Sequence, residues 1–212
     1  GRLIGADALL VGVGHDSRTL PPGALFVALR GERSDGHDHV AALVDRAGAA
    51  LVERELPLAI PQIVVADALA ALQGLARAWV DTLDLKRVAL TGSNGKTTTK
   101  SLTAAILGRV GRTHATPGNY NNEIGVPLTV LGLGAEHRFG VIEMGCGKPG
   151  DIDELTAIVP PHAAVVTNVA PAHLERLGSE QGVAEAKAGI YRGLLADGIA
   201  VVNADAPDAN YV

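Results

Sequence analysis

Cysteine, aromatic side chains and long apolar runs are scarce in this sequence, and each shortage closes off a class of protein. Cys146 is the single cysteine in 212 residues. No intrachain disulfide can therefore brace the fold, which excludes a disulfide-built secreted scaffold. A lone thiol agrees with a reducing, cytoplasmic setting. No apolar run reaches bilayer-spanning length and no basic-then-apolar leader is seen, so membrane insertion is not expected. Aromatics make up 3%, which leaves Ala, Val, Leu and Ile to build the core. Basic charge is not in excess either, the formal net charge being −5. That argues against a broad basic surface for nucleic acid. It leaves room for a local cluster of donors to a small phosphorylated ligand.

What is present is a globular composition, 47% hydrophobic and 19% charged, long enough for one large domain or two small ones. The first residue is Gly1 and the only methionine is Met144. The end follows a run that reads as a strand over 199–202 and then a turn with Asp205, Ala206 and Pro207. A trimmed or truncated chain is expected on that pattern.

Two regions differ in rhythm, with the division placed between 1–84 and 85–212. In the first, short strands are expected over 24–29, 49–52 and 63–65, with a helix over 39–47. Asp67 is suited to cap a long helix running to about residue 83, with Leu69, Leu72, Leu75, Ala76 and Trp79 at helical spacing. The second region alternates. Strands are expected over 88–91, 112–115, 139–144, 163–167 and 199–202, and helices over 96–107, 123–131, 152–158 and 183–195. Such alternation with short connections predicts an α/β fold: a small mixed α/β N-terminal domain, then a doubly wound, mostly parallel sheet. Ligands in such sheets bind beyond the carboxyl ends of the strands.

The strongest motif, Thr91-Gly92-Ser93-Asn94-Gly95-Lys96-Thr97-Thr98, follows an apolar strand and opens a helix. This is the setting of a phosphate-binding P-loop. Glycines let backbone N–H groups approach phosphates, and the helix N-terminus adds partial positive charge. Lys96 is placed to reach the β- and γ-phosphates, and the Thr97 hydroxyl to ligate Mg²⁺. Gly92, Ser93, Asn94, Gly95, Lys96, Thr97 and Thr98 are the expected nucleotide contacts. The spacing departs from the general pattern, since only Ser93 and Asn94 separate the two glycines.

Other polar residues read less clearly alone. Glu143 ends an apolar strand and suits a metal ligand at the sheet edge, or a solvated strand-end acid. His173 lies in a loop after another strand, and by itself reads as a structural or surface histidine. Lys187 by itself reads as an exposed helical lysine. His37, Asp38 and His39 read as loop and cap chemistry. Asn119, Asn121 and Asn122 crowd one loop, which suits either a polar ligand or a turn with a helix cap.

Together these segments resemble the Mur ligase family. TGSNGKTTT is similar to that family's ATP-binding signature, reduced glycine spacing included. GNYNNEIGVPLTVL, VIEMG and TNVAPAHLERLGS followed by GVAEAKAGI resemble the member that joins D-alanyl-D-alanine to UDP-N-acetylmuramoyl-tripeptide. DSRTLPPGALFVALRGERSDGHDHV is similar to the family's UDP-binding region, so the resemblance runs from about residue 16 to 203.

The resemblance implies an ATP-dependent amide ligase of peptidoglycan precursor synthesis, working through an acyl phosphate. It implies a UDP-substrate-binding domain over 1–84 and an incomplete ATP-binding domain over 85–212. The closing C-terminal domain would be absent and the fragment inactive alone. Two Mg²⁺ sites are implied, with Thr97, Glu143 and His173 as ligands and Lys187 as a carbamate. Lys96, His173 and Lys187 would serve catalysis, and Ser17, Arg18, Thr116 and Asn122 the substrate. The alternatives are another Mur-type or folate-type amino-acid ligase, or a nucleotide-binding module without catalysis. A P-loop GTPase or kinase fits less well, because the glycine spacing is short and no guanine-reading motif is seen.

Overall fold

The computed structural model describes residues 1–172 and 174–204. The turn expected at Asp205, Ala206 and Pro207 lies outside them. The chain forms two compact units, Gly1–Gly74 and Leu75–Val212.

The first unit carries five strands: β1 (Arg2–Ile4), β2 (Val13–Gly14), β3 (Leu25–Val27), β4 (Ala49–Val52) and β5 (Gln62–Val64). Their order is β1-β5-β4-β3-β2. All neighbours are parallel except β1, which runs antiparallel to β5. The apolar runs of β3 and β4 are buried throughout, as inner parallel strands require.

Residues 36–43 form a 3₁₀ helix where the sequence predicts an α-helix over 39–47. Val40 and Leu43, both buried, stand three residues apart, so a three-residue turn keeps both on one face. Asp35 caps this helix, its Oδ1 accepting from the His37 backbone N–H at 2.9 Å. The core packs Phe26, Val40, Leu43, Ala50, Val52 and Ile60 together.

The division between the units falls inside α1 (Ala68–Asp81). Asp67 caps it as expected, accepting from the Ala70 N–H at 2.8 Å. Its buried stripe is Ala68, Leu72, Ala76 and Val80, a four-residue repeat. Leu75 and Trp79, expected on that stripe, are 37% and 40% exposed.

The second unit is an all-parallel sheet of β6 (Lys86–Thr91), β7 (Thr113–Ala115), β8 (Phe139–Glu143), β9 (Ala163–Val166) and β10 (Ile199–Val202). The order is β10-β9-β6-β8-β7. The helices are α2 (Lys96–Leu107), α3 (Gly125–Leu131), α4 (Asp151–Ile158), the single turn α5 (Leu174–Leu177) and α6 (Glu180–Arg192).

The doubly wound expectation holds. Successive strands leave the central β6 first to one side and then to the other, which makes the end of β6 a topological switch point. Leu90 there pairs with Glu143 at the tip of β8, and Thr91 with Val166 at the tip of β9. Among the described residues the core cluster holds Val, Leu, Ile, Ala and Met144 with no fully buried ring, as the aromatic shortage dictates.

Candidate nucleotide-binding site

The loop at the tip of β6 turns on two glycines. Gly92 has φ of 152° and Gly95 of 78°, a region that favours glycine. At Gly92 the need is doubled, because an added Cβ would run into the Thr167 side chain. Gly95 is the N-cap of α2 and offers no side-chain capping bond. The first N–H groups of the helix are therefore not spent on a capping side chain. No atom lies within 4 Å of a Cβ built on Gly95, so there is open space over this end. The Lys96 ammonium folds across the loop and donates to the Gly92 carbonyl at 2.8 Å. An open cradle with a helix terminus and an ammonium fits a phosphate chain.

The rest of the loop is held by the segment after β9. Ser93 N–H donates to the Asn168 carbonyl at 3.1 Å, and Asn94 N–H to Asn168 Oδ1 at 2.9 Å. Ser93 Oγ donates to the Ala170 carbonyl at 2.8 Å and accepts from the Ala170 N–H at 3.0 Å. Thr167 Oγ1 donates to the Asn94 carbonyl at 2.6 Å. Ser93 and Asn94, expected as nucleotide contacts, thus spend these groups on the protein. The N–H groups at the start of α2 have no capping side chain, and the space beside Gly95 is open.

Glu143 is the hub of the site. It is 1% exposed at the carboxyl end of β8. Its Oε2 accepts from Thr97 Oγ1 at 3.2 Å and lies 3.1 Å from Lys100 Nζ. Its Oε1 accepts from Asn121 Nδ2 at 2.9 Å. Its backbone N–H donates to Thr116 Oγ1 at 2.9 Å. A hydroxyl and a carboxylate brought this close are hard oxygen donors of the kind Mg²⁺ takes, so the residues fit that ion. Among the described residues no group of three or more His, Cys, Asp or Glu could hold a metal. His173, expected as a second metal ligand, lies outside the described residues.

Lys100 and Asn121 were not singled out as carboxylate partners by sequence. Lys100 stands one helical turn beyond Lys96, which is a usable signal. Nothing local announces that it is buried.

Lys187 corrects the exposed-helix reading, being 3% exposed on α6. It makes no hydrogen bond or ion pair among the described residues. Burial lowers its pKa from the ordinary 10.5; charge at Cys146 opposes this and the Lys96 charge adds to it. Burial likewise raises the Cys146 pKa, against the nearby Lys187 charge. Helix α6 is seated by its Ser179 cap, which accepts from Gly182 N–H at 3.0 Å. A two-pronged pair from Arg192 to Asp153 on α4, 2.8 Å at each prong, also holds it.

The residues expected at the substrate are placed as follows. Thr116 is buried at 3% beneath Glu143. Asn122 is the loop asparagine that caps α3, its Oδ1 accepting from Gly125 N–H at 2.9 Å. In the first unit, the Arg18 guanidinium is bound to Asp16 by bonds of 2.9 and 2.7 Å. This holds the Asp16 carboxyl well below the usual carboxylate range. The Ser17 carbonyl accepts from the Arg46 guanidinium.

Comparison with known proteins adds the following. The family model described as the Mur ligase middle domain matches residues 90–212, and the Mur ligase family catalytic domain model matches residues 10–79. The UDP-N-acetylmuramoyl-tripeptide–D-alanyl-D-alanine ligase of Escherichia coli K12 is 50% identical over 210 residues, covering 98% of this chain and 46% of its own length. The enzyme of that name from Bacillus subtilis 168 is 44% identical over 206 residues, covering 95% and 45%.

A crystal structure of MurF from Acinetobacter baumannii superposes with a TM-score of 0.90 at 41% identity, covering 95% of this chain and 44% of that one. MurF ligase from Thermotoga maritima in complex with ADP gives 0.85 at 36% identity, covering 94% and 47%. The chain spans a little under half the length of these curated relatives.

Proposed function

The chain belongs to the Mur ligase family, and from that premise we propose that it supplies the nucleotide site of an ATP-dependent ligase of peptidoglycan precursor synthesis. The ligase joins D-alanyl-D-alanine to UDP-N-acetylmuramoyl-tripeptide. Residues 1–84 take the uridine nucleotide, with Ser17 and Arg18 at the contact region, and residues 85–212 take ATP. The reaction belongs in the cytoplasm; no helix among the described residues is long and apolar enough to cross a membrane. The observation that carries the reading is the Lys96–Thr97 helix start beside Glu143 at the switch point of a parallel sheet.

The triphosphate lies over the start of α2, where the N–H groups from Gly95 to Thr98 and the Lys96 ammonium face the β- and γ-phosphates. Ser93 and Asn94 hold the loop in shape through residues 167–170. Mg²⁺, when bound, neutralises phosphate charge, held by Thr97 and Glu143 at a first site and by His173 and Lys187 at a second. Lys187 acts there as a carbamate. Its neutral amine, favoured by the lowered pKa, attacks carbon dioxide, forming an N–C bond and releasing one proton.

A carboxylate is a poor electrophile, so its oxygen first attacks the γ-phosphorus and ADP departs. The amine of D-alanyl-D-alanine then attacks the acyl carbon, phosphate leaves with the bond electrons, and the amine gives up one proton. Thr116 and Asn122 border the acceptor. Positioning and charge neutralisation account for most of such a transfer.

Titrating the chain with Mg-ADP in a calorimeter tests the nucleotide site. One saturable site is expected, and Lys96→Ala should remove it. Phosphate release by the full-length ligase should depend on D-alanyl-D-alanine. Release driven equally by a single amino acid would assign the chain to another Mur-type or folate-type ligase. Intact-mass measurement in bicarbonate buffer should find one carbamate, absent from Lys187→Met.

A further inference from the structure

We propose that Lys100 is a positioning residue that locks the loop 117–122 to the Glu143 carboxylate, so that the acceptor side of the site is ordered from the nucleotide helix. The proposal rests on the reading above that Glu143 faces the metal and this loop the acceptor.

Lys100 is 5% exposed and lies on α2, three residues after Thr97. Its Nζ donates to the Gly118 carbonyl at 2.7 Å and lies 3.1 Å from Glu143 Oε2. The same carboxylate accepts from Asn121, in the same loop, at 2.9 Å. Asn121 in turn accepts through its backbone carbonyl from Gly145 N–H at 2.7 Å. A Cβ on Gly145 would sit 2.8 Å from Asn121 Oδ1, so the loop lies flat against the end of β8. The ring closes through Thr97, which also donates to Glu143. Three segments far apart in sequence are thereby fixed by one ammonium and one carboxylate.

A buried ion pair adds little stability over an apolar pair of equal volume. What this pair does add is direction. The ammonium fixes which way the carboxylate turns, and it pins the Gly118 carbonyl, where φ is 53° and the loop reverses. Both of its protein contacts being made in the interior, Lys100 is spent on them and is not a phosphate ligand like Lys96. The loop and the metal-facing carboxylate move as one body, and the nucleotide helix holds both.

The test compares amide hydrogen exchange in the chain carrying Lys100→Met, Lys100→Arg and the double change Lys100→Met with Glu143→Gln. The reporters are the Tyr120, Asn121 and Gly145 amides, which are hydrogen-bonded at 3.1, 2.7 and 2.7 Å. Lys100→Met should speed their exchange at least tenfold while amides in α4 and β9 keep their rates. Lys100→Arg, which can still reach both oxygens, should restore most of the protection. The double change leaves no uncompensated buried charge and covers the case in which Lys100→Met fails to fold; it too should free the loop.

In full-length ligase, Lys100→Met should raise KM for the UDP-linked acceptor more than it lowers kcat. Unchanged protection at residues 120, 121 and 145 in either Met variant overturns the proposal. Failure of the unaltered chain to bind Mg-ADP would instead sink the nucleotide reading, and the exchange data would still decide the lock.

Discussion

Gln62 in the first unit and Glu143 in the second are both polar side chains 1% exposed on a sheet strand, yet they are satisfied in different ways. Gln62 exchanges two bonds with one residue: Oε1 accepts from Leu56 N–H and Nε2 donates to the Leu56 carbonyl, each at 2.8 Å. His37 nearby is closed off likewise, Nδ1 against Asp35 Oδ1 at 2.5 Å and Nε2 accepting from Glu53 N–H at 2.8 Å. These circuits use the backbone or a neighbour and leave nothing over. The Glu143 carboxylate draws its partners from two separate segments, α2 and the loop 117–122, and all of them are side chains. Lys187 makes no hydrogen bond or ion pair among the described residues, and its nearest electrostatic influences are Cys146 and Lys96. The first pattern closes a loop through backbone groups, and the second joins separate segments through charged and polar side chains in the interior.

The contrast can be broken by experiment. Glu143→Ala should cost the most, about 3–5 kcal/mol, since it strands the buried Lys100 charge; urea unfolding measures it. A loss below about 1 kcal/mol would mean Lys100 escapes to water. Next, Lys96→Ala should lower nucleotide-dependent turnover of the intact ligase on the order of 10²–10³-fold while leaving unfolding of the chain within about 0.5 kcal/mol of the original. A large stability loss instead would make Lys96 structural.

Gln62→Leu should cost about 2 kcal/mol by unpairing both Leu56 groups, with Mg-ADP affinity unmoved. A change in nucleotide affinity would blur the distinction between the two networks.

The smallest effect is a pH dependence. Unmodified Lys187 binds its proton more weakly folded than unfolded, because its pKa is lowered from 10.5. Between the lowered value and 10.5 the unfolded chain holds more protons, so stability rises with pH across that window, by at most about 1.4 kcal/mol per unit. Lys187→Met should flatten this component.

Legibility in the sequence follows locality. The P-loop was readable because strand, glycine turn and helix are contiguous, and β4, β10 and α2 stand where expected. β1, β2 and α5 were missed, being two to four residues long, too short to show a period. The bonds that Ser93 and Asn94 make to Ala170 and Asn168 were not legible, because those partners lie more than 70 residues away.

Lys187 carried a signal that went unused: Ala186, Ala188 and Gly189 flank it, and small neighbours let another element come close. A Cβ at Gly189 would sit 2.8 Å from Asp153 Oδ2. The Glu143 hub was half legible. The strand-end acid could be named, but Lys100 and Asn121 meet it only once three strand ends are side by side.

The seam between residues 92–95 and 167–170 changes what counts as a phosphate-loop motif. Only two residues separate the glycines, and the turn is held by a stretch of chain beyond three further strands. Counting letters between glycines therefore measures only half of the cradle. A search that paired the short turn with a downstream Thr-Asn at the tip of the adjoining strand would describe both sides of this seam.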